Sequence, residues 1–148
     1  LQYLQRRKNI DLKYLVIFGR SLGAAVAAHL ATQVNAAAVI LETPFASIAE
    51  MAKVAFPFLP LGPFLKTRYD VLKIIPLAKS PVLVIHGDQD DIVPYAQGRK
   101  VFEAAHEPKE FYTIQGATHN DTYLVGGEPY FSVLRNFIRR RTAQSPRN

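Results

Sequence analysis

The sequence predicts an α/β fold, in which a parallel sheet of about four strands is flanked by helices. Short apolar runs alternate with longer segments of helix formers along the 148 residues. Near-continuous apolar strands that alternate with helices are typical of a parallel sheet covered on both faces. Hydrophobic residues make up 49% of the chain, which is enough for a packed core. Any functional site is expected at the carboxyl ends of the strands, where such sheets form their sites.

The predicted elements follow one another in a regular order. Four apolar runs are interpreted as strands, at 14–19, 37–42, 81–87 and 109–116. Helix formers, helped by a proline at a first helical position, predict helices near 22–33, 48–56, 94–105 and 128–141. The last helix carries one apolar face, formed by Tyr130, Val133, Leu134 and Phe137. Strand and helix therefore alternate four times along the chain.

We expect one partial α/β domain over residues 1–141, followed by a frayed tail at 142–148. Residues 45–77 are rich in proline and aromatic side chains, and they are interpreted as a cap-like insertion over the strand ends. Phe45 and Phe58 in this insertion are predicted to contact an acyl or lipid substrate. The alternative, that these aromatic side chains pack on the core, stays open.

Composition limits the classes of function. The net charge of +6 is spread along the chain and no nucleic-acid-binding motif is present, so nucleic acid is not a predicted partner. The basic C-terminal residues form either a solvated face or a contact with anionic lipid headgroups at a membrane surface. The absence of cysteine excludes disulfides and thiolate metal sites. No apolar run approaches the roughly 20 residues of a membrane-spanning helix.

A serine lies between the first predicted strand and the helix after it. The stretch GRSLG at 19–23 matches the pattern G-x-S-x-G. In such a turn a strained backbone lifts the serine hydroxyl above the sheet, and the side chains two residues to either side have to be small. The helix N-terminus behind the hydroxyl favours developing negative charge. Ser21 is therefore a candidate nucleophile.

Three aspartates follow the third predicted strand, in the stretch HGDQDDIVP at 86–94. One of them would orient a catalytic histidine, and spacing alone does not choose between Asp88, Asp90 and Asp91. The alternative is that they cap the helix opened by Pro94, with Asp88 and Asp91 as the cap or loop candidates.

Four histidines are candidates for a catalytic base. His119 lies on the loop after the fourth predicted strand, where it has no core to fill. His29 and His106 are interpreted as structural or solvent-facing, and His86 is expected to shape the aspartate loop. Serine, then aspartate, then histidine, each at a strand end, is the chain order of α/β-hydrolases.

Four stretches carry a resemblance to a known family: VIFGRSLGAAVA at 16–27, ILETPFASI at 40–48, VLVIHGDQDDIVP at 82–94 and GATHNDTY at 116–123. Over residues 3–138 the chain resembles the C-terminal half of a Bem46-like α/β-hydrolase, close to serine aminopeptidase S33-type hydrolases. The family pattern H-G-x-x-D-x-x-V-P implies that Asp90 is the acid. The same matching implies that Ser21 is the nucleophile and His119 the base.

The resemblance implies acyl transfer to water through an acyl-enzyme, and the apolar aromatic residues of the insertion favour a small acyl ester or thioester as substrate, with a lipid among the options. The backbone N–H of Leu22 would supply one donor of the oxyanion hole, and neither a metal nor an organic cofactor is required. Alternatives are a serine peptidase or aminopeptidase, a non-enzymatic scaffold of the same fold, and a membrane-surface binding module.

The resemblance also implies that the 148 residues are a fragment of a longer enzyme. The second oxyanion donor would then lie upstream of Leu1, and the first strand would form a bare sheet edge. We accordingly expect the 148-residue chain alone to be inactive or nearly so. An upstream membrane anchor is one expectation for its location, and a cytoplasmic enzyme is the other.

Overall fold

Four parallel strands form the sheet in a computed structural model, which describes Tyr3, Arg6, Arg7, residues 10–55, Phe58 and residues 69–143. The strands are β1 (Val16–Arg20), β2 (Ala38–Glu42), β3 (Val82–Gly87) and β4 (Lys109–Ile114), and they lie in that order across the sheet. Register pairs Arg20 with Glu42 and Glu42 with Ile85. The carboxyl ends of all four strands therefore lie along one edge, as the sequence predicts.

Five helices accompany the strands within the described residues: α1 (Leu22–Ala31), α2 (Ile48–Ala55), α3 (Val71–Ile74), α4 (Tyr95–Ala104) and α5 (Thr122–Ala143). Short 3-10 turns lie at Leu12–Tyr14 and Ile75–Leu77. β1 starts two residues later than predicted, because the first of these turns occupies the chain up to Tyr14. The Asp11 side chain caps this turn by accepting a hydrogen bond from Lys13 N.

The last helix begins six residues before the predicted start at 128. Gly127 has a φ of 48° and bends α5 between two helical parts, the second of which has Pro129 near its start. The pair Gly126-Gly127 reads in the sequence as a break, whereas the chain remains helical on both sides of a kink. The helix also continues to Ala143, past the predicted tail boundary at 142, and residues 144–148 lie outside the described part.

Two hydrophobic layers cover the sheet. One contains the alanines of α1, residues of α3 and α4, and the side chains of Val39, Leu41, Val82 and Val84. The other is built against α5 and contains Ile40, Leu83, Ile85, Tyr130 and Phe137. Successive side chains of β2 and β3 thus point into opposite layers. This double burial explains why both strands are apolar at almost every position.

Part of the predicted insertion at 45–77 belongs to the core. Val71 and Ile75 are fully buried, and Ile48 and Met51 pack against the same layer. Phe45 is 4% exposed and lies among these core residues. Its position matches the core-packing alternative and does not match a substrate contact. Residues 56, 57 and 59–68 of the predicted cap lie outside the described residues.

β1 forms one edge of the described sheet. Three apolar side chains on β1 and α1 are about half exposed beside it, namely those of Phe18, Leu22 and Val26. Among the helices that the structure describes, none combines the length and the apolar character needed to cross a membrane.

Candidate active site

Ser21 follows β1 directly and lies at the N-terminus of α1 with a φ of 52° and a ψ of −119°. A non-glycine residue rarely adopts this conformation, because its Cβ meets the backbone. The turn is held by a hydrogen bond from Ser21 N to Glu42 O at 2.9 Å. Backbone strain thus occurs at the candidate nucleophile, as the sequence pattern predicts.

The two glycines that flank Ser21 have different steric surroundings. A Cβ on Gly19 would lie 2.2 Å from the carbonyl oxygen of Gly23 and 2.6 Å from the Cβ of Ala27. A Cβ on Gly23 would meet no heavy atom within 4 Å among the described residues. The expectation that both neighbours must be small is therefore wrong for Gly23. Of these two positions, Gly19 is the one where a side chain would clash with the backbone of α1.

The structure brings the three sequence-predicted residues into contact. His119 Nε2 lies 3.0 Å from Ser21 Oγ, and its Nδ1 lies 2.8 Å from Asp90 Oδ2. Both distances are within hydrogen-bonding range. His119 is 5% exposed and the Asp90 side chain is fully buried. A continuous hydrogen-bonded path therefore joins a hydroxyl, an imidazole and a carboxylate.

Asp90 accepts several hydrogen bonds in addition to that of His119. Ile92 N and Val93 N donate to its Oδ1 at 3.0 and 2.7 Å, and His86 Nε2 lies 3.2 Å from its Oδ2. Burial raises the pKa of Asp90, but hydrogen bonds from His86, Val93, His119 and Ile92 lower it more, to about 2. The carboxylate is therefore ionised near neutral pH.

The other two aspartates do not cap α4. Pro94 occupies the N-cap position without a side-chain hydrogen bond. Asp88 instead accepts from Gly116 N at 2.7 Å, and Asp91 Oδ1 lies 3.5 Å from His119 N. The capping alternative is therefore wrong, since no side chain caps the N-terminus of α4, and the two aspartates are loop residues. Both aspartates tie the loop after β3 to the chain after β4.

The remaining histidines have the placements that the sequence predicts. His86 is fully buried, and its Nε2–H donates to Val93 O at 2.9 Å, so it shapes the Asp90 loop as expected. Its Nδ1 has no hydrogen-bond partner among the described residues. His29 on α1 and His106 after α4 are exposed.

Leu22 is the first residue of α1 and directly follows Ser21. Backbone N–H groups in the first turn of a helix have no acceptor within the helix, and they lie at the positive end of the helix dipole. The Leu22 amide therefore has the local setting that the predicted oxyanion donor requires.

Arg20 and Glu42 were not singled out as site residues from the sequence. Glu42 is 2% exposed at the end of β2. Its carboxylate accepts from Thr122 Oγ1 and, at 2.8 Å, from the hydroxyl of Tyr130. Burial, followed by this hydrogen bond and the negative charge of Glu42, raises the pKa of Tyr130 well above its usual range. A glutamate closing an otherwise apolar strand is the signal that could have identified the cluster.

A groove of about 410 Å³ lies beside the edge strand. Polar atoms come from Arg20 and Glu42, and apolar surface comes from Phe18, Tyr123, Tyr130, Phe131 and Leu134. Phe58, the second predicted substrate contact, does not line it and is 96% exposed. Within the described part of the chain, no three His, Cys, Asp or Glu residues are grouped so that they could hold a metal ion.

Comparison with known proteins assigns the chain to a family. The sequence model described as "Alpha/beta hydrolase domain" matches residues 1–123. The chain belongs to the alpha/beta hydrolase domain family. The resemblance inferred from the four sequence motifs is thereby confirmed at the level of the superfamily.

Relatives of this alpha/beta hydrolase domain occur in bacteria, plants and animals. The uncharacterized protein Rv2307c of Mycobacterium tuberculosis is 39% identical over 137 residues, covering 93% of this chain and 49% of its own length. The alpha/beta hydrolase domain-containing protein WAV2 of Arabidopsis thaliana is 35% identical, with coverages of 95% and 51%. The human alpha/beta hydrolase domain-containing protein 17B is 33% identical, with coverages of 91% and 45%. The chain thus spans about half the length of these relatives.

Solved structures share the fold of this hydrolase domain. Est1E from Butyrivibrio proteoclasticus superposes with a TM-score of 0.77 at 20% identity, covering 97% of this chain and 66% of that one. A Mycobacterium tuberculosis puromycin-hydrolyzing peptidase gives the same TM-score at 21% identity, with coverages of 99% and 25%. At these identities the likeness establishes the architecture only.

Proposed function

We propose that the protein is a serine hydrolase that cleaves an ester or thioester through an acyl-enzyme on Ser21. The observation that carries this proposal is the path from Ser21 Oγ to His119 Nε2 at 3.0 Å and from His119 Nδ1 to Asp90 Oδ2 at 2.8 Å. A hydroxyl, an imidazole and a buried carboxylate in this order form the arrangement that activates a serine for acyl transfer.

In the first half-reaction His119 Nε2 accepts the proton of the Ser21 hydroxyl while Oγ attacks the carbonyl carbon of the substrate. The resulting oxyanion is stabilised by the Leu22 N–H and by the N-terminus of α1. The tetrahedral intermediate then breaks its bond to the leaving alcohol or thiol, which takes the proton from His119. Ser21 is left acylated.

In the second half-reaction a water molecule attacks the acyl carbon and gives its proton to His119 Nε2. Collapse of this intermediate releases the carboxylic acid and returns the proton to Ser21 Oγ. Throughout the cycle Asp90 accepts the Nδ1–H of His119, which fixes the tautomer and stabilises the imidazolium that forms twice. A pKa of about 2 for Asp90 keeps this carboxylate charged at working pH.

The substrate we propose is a small acyl ester or thioester, and a lipid is included in that class. Phe58 stays part of the proposal as an apolar contact to the acyl chain, because its exposed ring is accessible to a ligand. Phe45, the other residue that the sequence predicts as a substrate contact, is left out of the proposal because its ring is buried in the core.

The test is labelling of the full-length protein with a fluorophosphonate probe, followed by a panel of esters and thioesters of increasing acyl length. We expect labelling and turnover to disappear in Ser21→Ala. Ser132→Ala provides a matched control, since Ser132 contacts Glu128 on α5, and it should label like the wild type. A wild-type protein that the probe does not label would refute the proposal, and faster cleavage of peptides than of esters would replace it with a peptidase.

A further inference from the structure

The guanidinium of Arg20 connects the strand that leads to Ser21 with the loop that carries His119. Its Nη2 donates to the backbone carbonyl of His119 and, at 3.0 Å, to Asn120 Oδ1. These partners lie 99 and 100 residues away in the sequence. Arg20 directly precedes Ser21 in the chain. The dipeptide Arg20-Ser21 therefore contacts His119 twice, through the Ser21 hydroxyl at the imidazole and through the Arg20 guanidinium at the main chain.

The guanidinium of Arg20 also forms an ion pair with the buried carboxylate of Glu42. Arg20 Nε lies 3.5 Å from Glu42 Oε1, and the Glu42 side chain is only 3% exposed. A buried ionised carboxylate is stable only when its oxygens are satisfied by donors and by positive charge. The hydroxyls of Thr122 and Tyr130 supply donors from α5, and Arg20 supplies the charge. β1, β2 and α5 therefore each contribute a side chain to one cluster around Glu42, and Arg20 of this cluster contacts the loop that carries His119.

From this geometry we propose that Arg20, anchored by Glu42, is a positioning residue that sets the His119 imidazole in line with Ser21 Oγ. This inference rests on the proposed function, because it concerns the same pair of reacting side chains. Arg20 is assigned no contact with the substrate. It acts through the His119 carbonyl group, because a fixed carbonyl holds the backbone of His119 and therefore the origin of its side chain at Cα.

Arginine has the shape that this task requires. Its planar fork reaches the His119 carbonyl and the Asn120 side chain with one nitrogen while a second nitrogen faces Glu42. A lysine ammonium is a single point charge and cannot hold the same two directions rigidly. Displacing a catalytic group by about 1 Å can lower the rate on the order of 10²-fold. Loss of the fork should therefore reduce kcat far more than it changes KM.

The experiment compares Arg20→Ala and Arg20→Lys with the wild-type full-length protein in steady-state ester hydrolysis. We expect kcat to fall about 10- to 100-fold in Arg20→Ala, with KM within about threefold of the wild type. Arg20→Lys should be intermediate. Millimolar guanidinium ion should restore part of kcat to Arg20→Ala only. Arg99→Ala is the matched control, because Arg99 lies on α4 against the rings of Phe102 and Phe111.

A second measurement does not depend on turnover. Hydrogen–deuterium exchange of the peptide spanning 117–121 should be faster in Arg20→Ala than in the wild type and unchanged in Arg99→Ala. A folded Arg20→Ala with kcat within twofold of the wild type, or with unchanged exchange, would overturn the proposal. If Arg20→Ala does not fold, an unchanged kcat in Arg20→Lys overturns it, and a kcat reduced at least threefold supports it. Absence of labelling at Ser21 in the wild type would instead refute the proposed function.

Discussion

A Cβ placed on Gly98 would lie 2.2 Å from Nδ1 of His86. The backbone of α4 thus packs directly on a buried imidazole. The opposite nitrogen of that ring, Nε2, lies 2.9 Å from Val93 O and 3.2 Å from Asp90 Oδ2. The position of the candidate acid therefore depends on a contact between a helix and a side chain that itself has no part in the proposed reaction.

Gly98→Ala should be destabilising even though alanine is the better helix former. The added methyl group has to displace the His86 ring, which has an edge-on contact with Tyr95. Overpacking of a filled core costs about 1–3 kcal/mol. Urea unfolding measures the change, and Ala96→Gly at the neighbouring exposed position calibrates the helix-propensity contribution. A Gly98→Ala protein as stable as the wild type would contradict the packing described for His86.

The two glycines beside Ser21 should respond differently to alanine. Gly19→Ala places a methyl group against the backbone of Gly23, so we expect a loss of at least about 1 kcal/mol together with a loss of probe labelling. Gly23→Ala meets open space in a helical position, and it should be neutral or stabilising by up to about 1 kcal/mol. Thermal unfolding of both variants tests this contrast. Equal losses in the two variants would be incompatible with it.

Asp90 should contribute acid-sensitive stability. Its folded-state pKa of about 2 lies below the ordinary value of 3.8, so the unfolded chain binds its proton first as the pH falls. The contribution is present in full above about pH 5 and is lost progressively as the pH falls through the folded-state pKa of about 2. A shift of this size corresponds to roughly 2 kcal/mol.

Urea titrations at pH 5, 3 and 2 on the wild type and Asp90→Asn measure this contribution. The wild type should lose more free energy of unfolding than the variant over that interval. Asp88→Asn serves as the control, because it removes a carboxylate from the same loop, where Asp88 accepts from Gly116 N rather than from the groups that donate to Asp90. Parallel pH profiles for the wild type and Asp90→Asn would show that the Asp90 hydrogen bonds do not favour the ionised form.

Glycine at position 21 should give a more stable protein than alanine at the same position. Its φ of 52° and ψ of −119° are natural for glycine and strained for any side chain. We expect Ser21→Gly to be about 1–3 kcal/mol more stable than Ser21→Ala, since both lack the hydroxyl and differ only in the methyl group. Denaturant midpoints of the two variants provide the measurement. An alanine variant that matches the glycine variant would mean that the turn relaxes.

The sequence was sufficient to predict the order of the strands and the residues that meet at the strand ends, but not the short helix α3 at Val71–Ile74. Parallel strands carry their loops to one edge, so the motifs around Ser21, Asp90 and His119 had to converge once four strands were recognised. Their catalytic roles stay a prediction. The start of α5 was missed because Gly126 and Gly127 resemble a terminator, although the helix only kinks there.

Long-range partners were beyond the reach of local patterns. Glu42 finds Thr122 and Tyr130 at separations of 80 and 88 residues, and no spacing rule connects positions so far apart. The burial of a single side chain is equally hard to predict from local sequence, as Phe45 and Phe58 show. Both are phenylalanines in one proline-rich segment, yet one is buried and the other is exposed, because burial depends on the surrounding fold rather than on residue type.

The strained backbone at Ser21 also affects which substitutions selection would favour at this position. If variants are selected for heat resistance alone, glycine is the replacement for Ser21 that we expect to be favoured, since it relieves the strained turn, although it also removes the hydrogen bond to His119. Selection for chemistry acts in the opposite direction and retains the hydroxyl. A mutant library screened for folding and a second library screened for ester turnover should therefore diverge first at position 21.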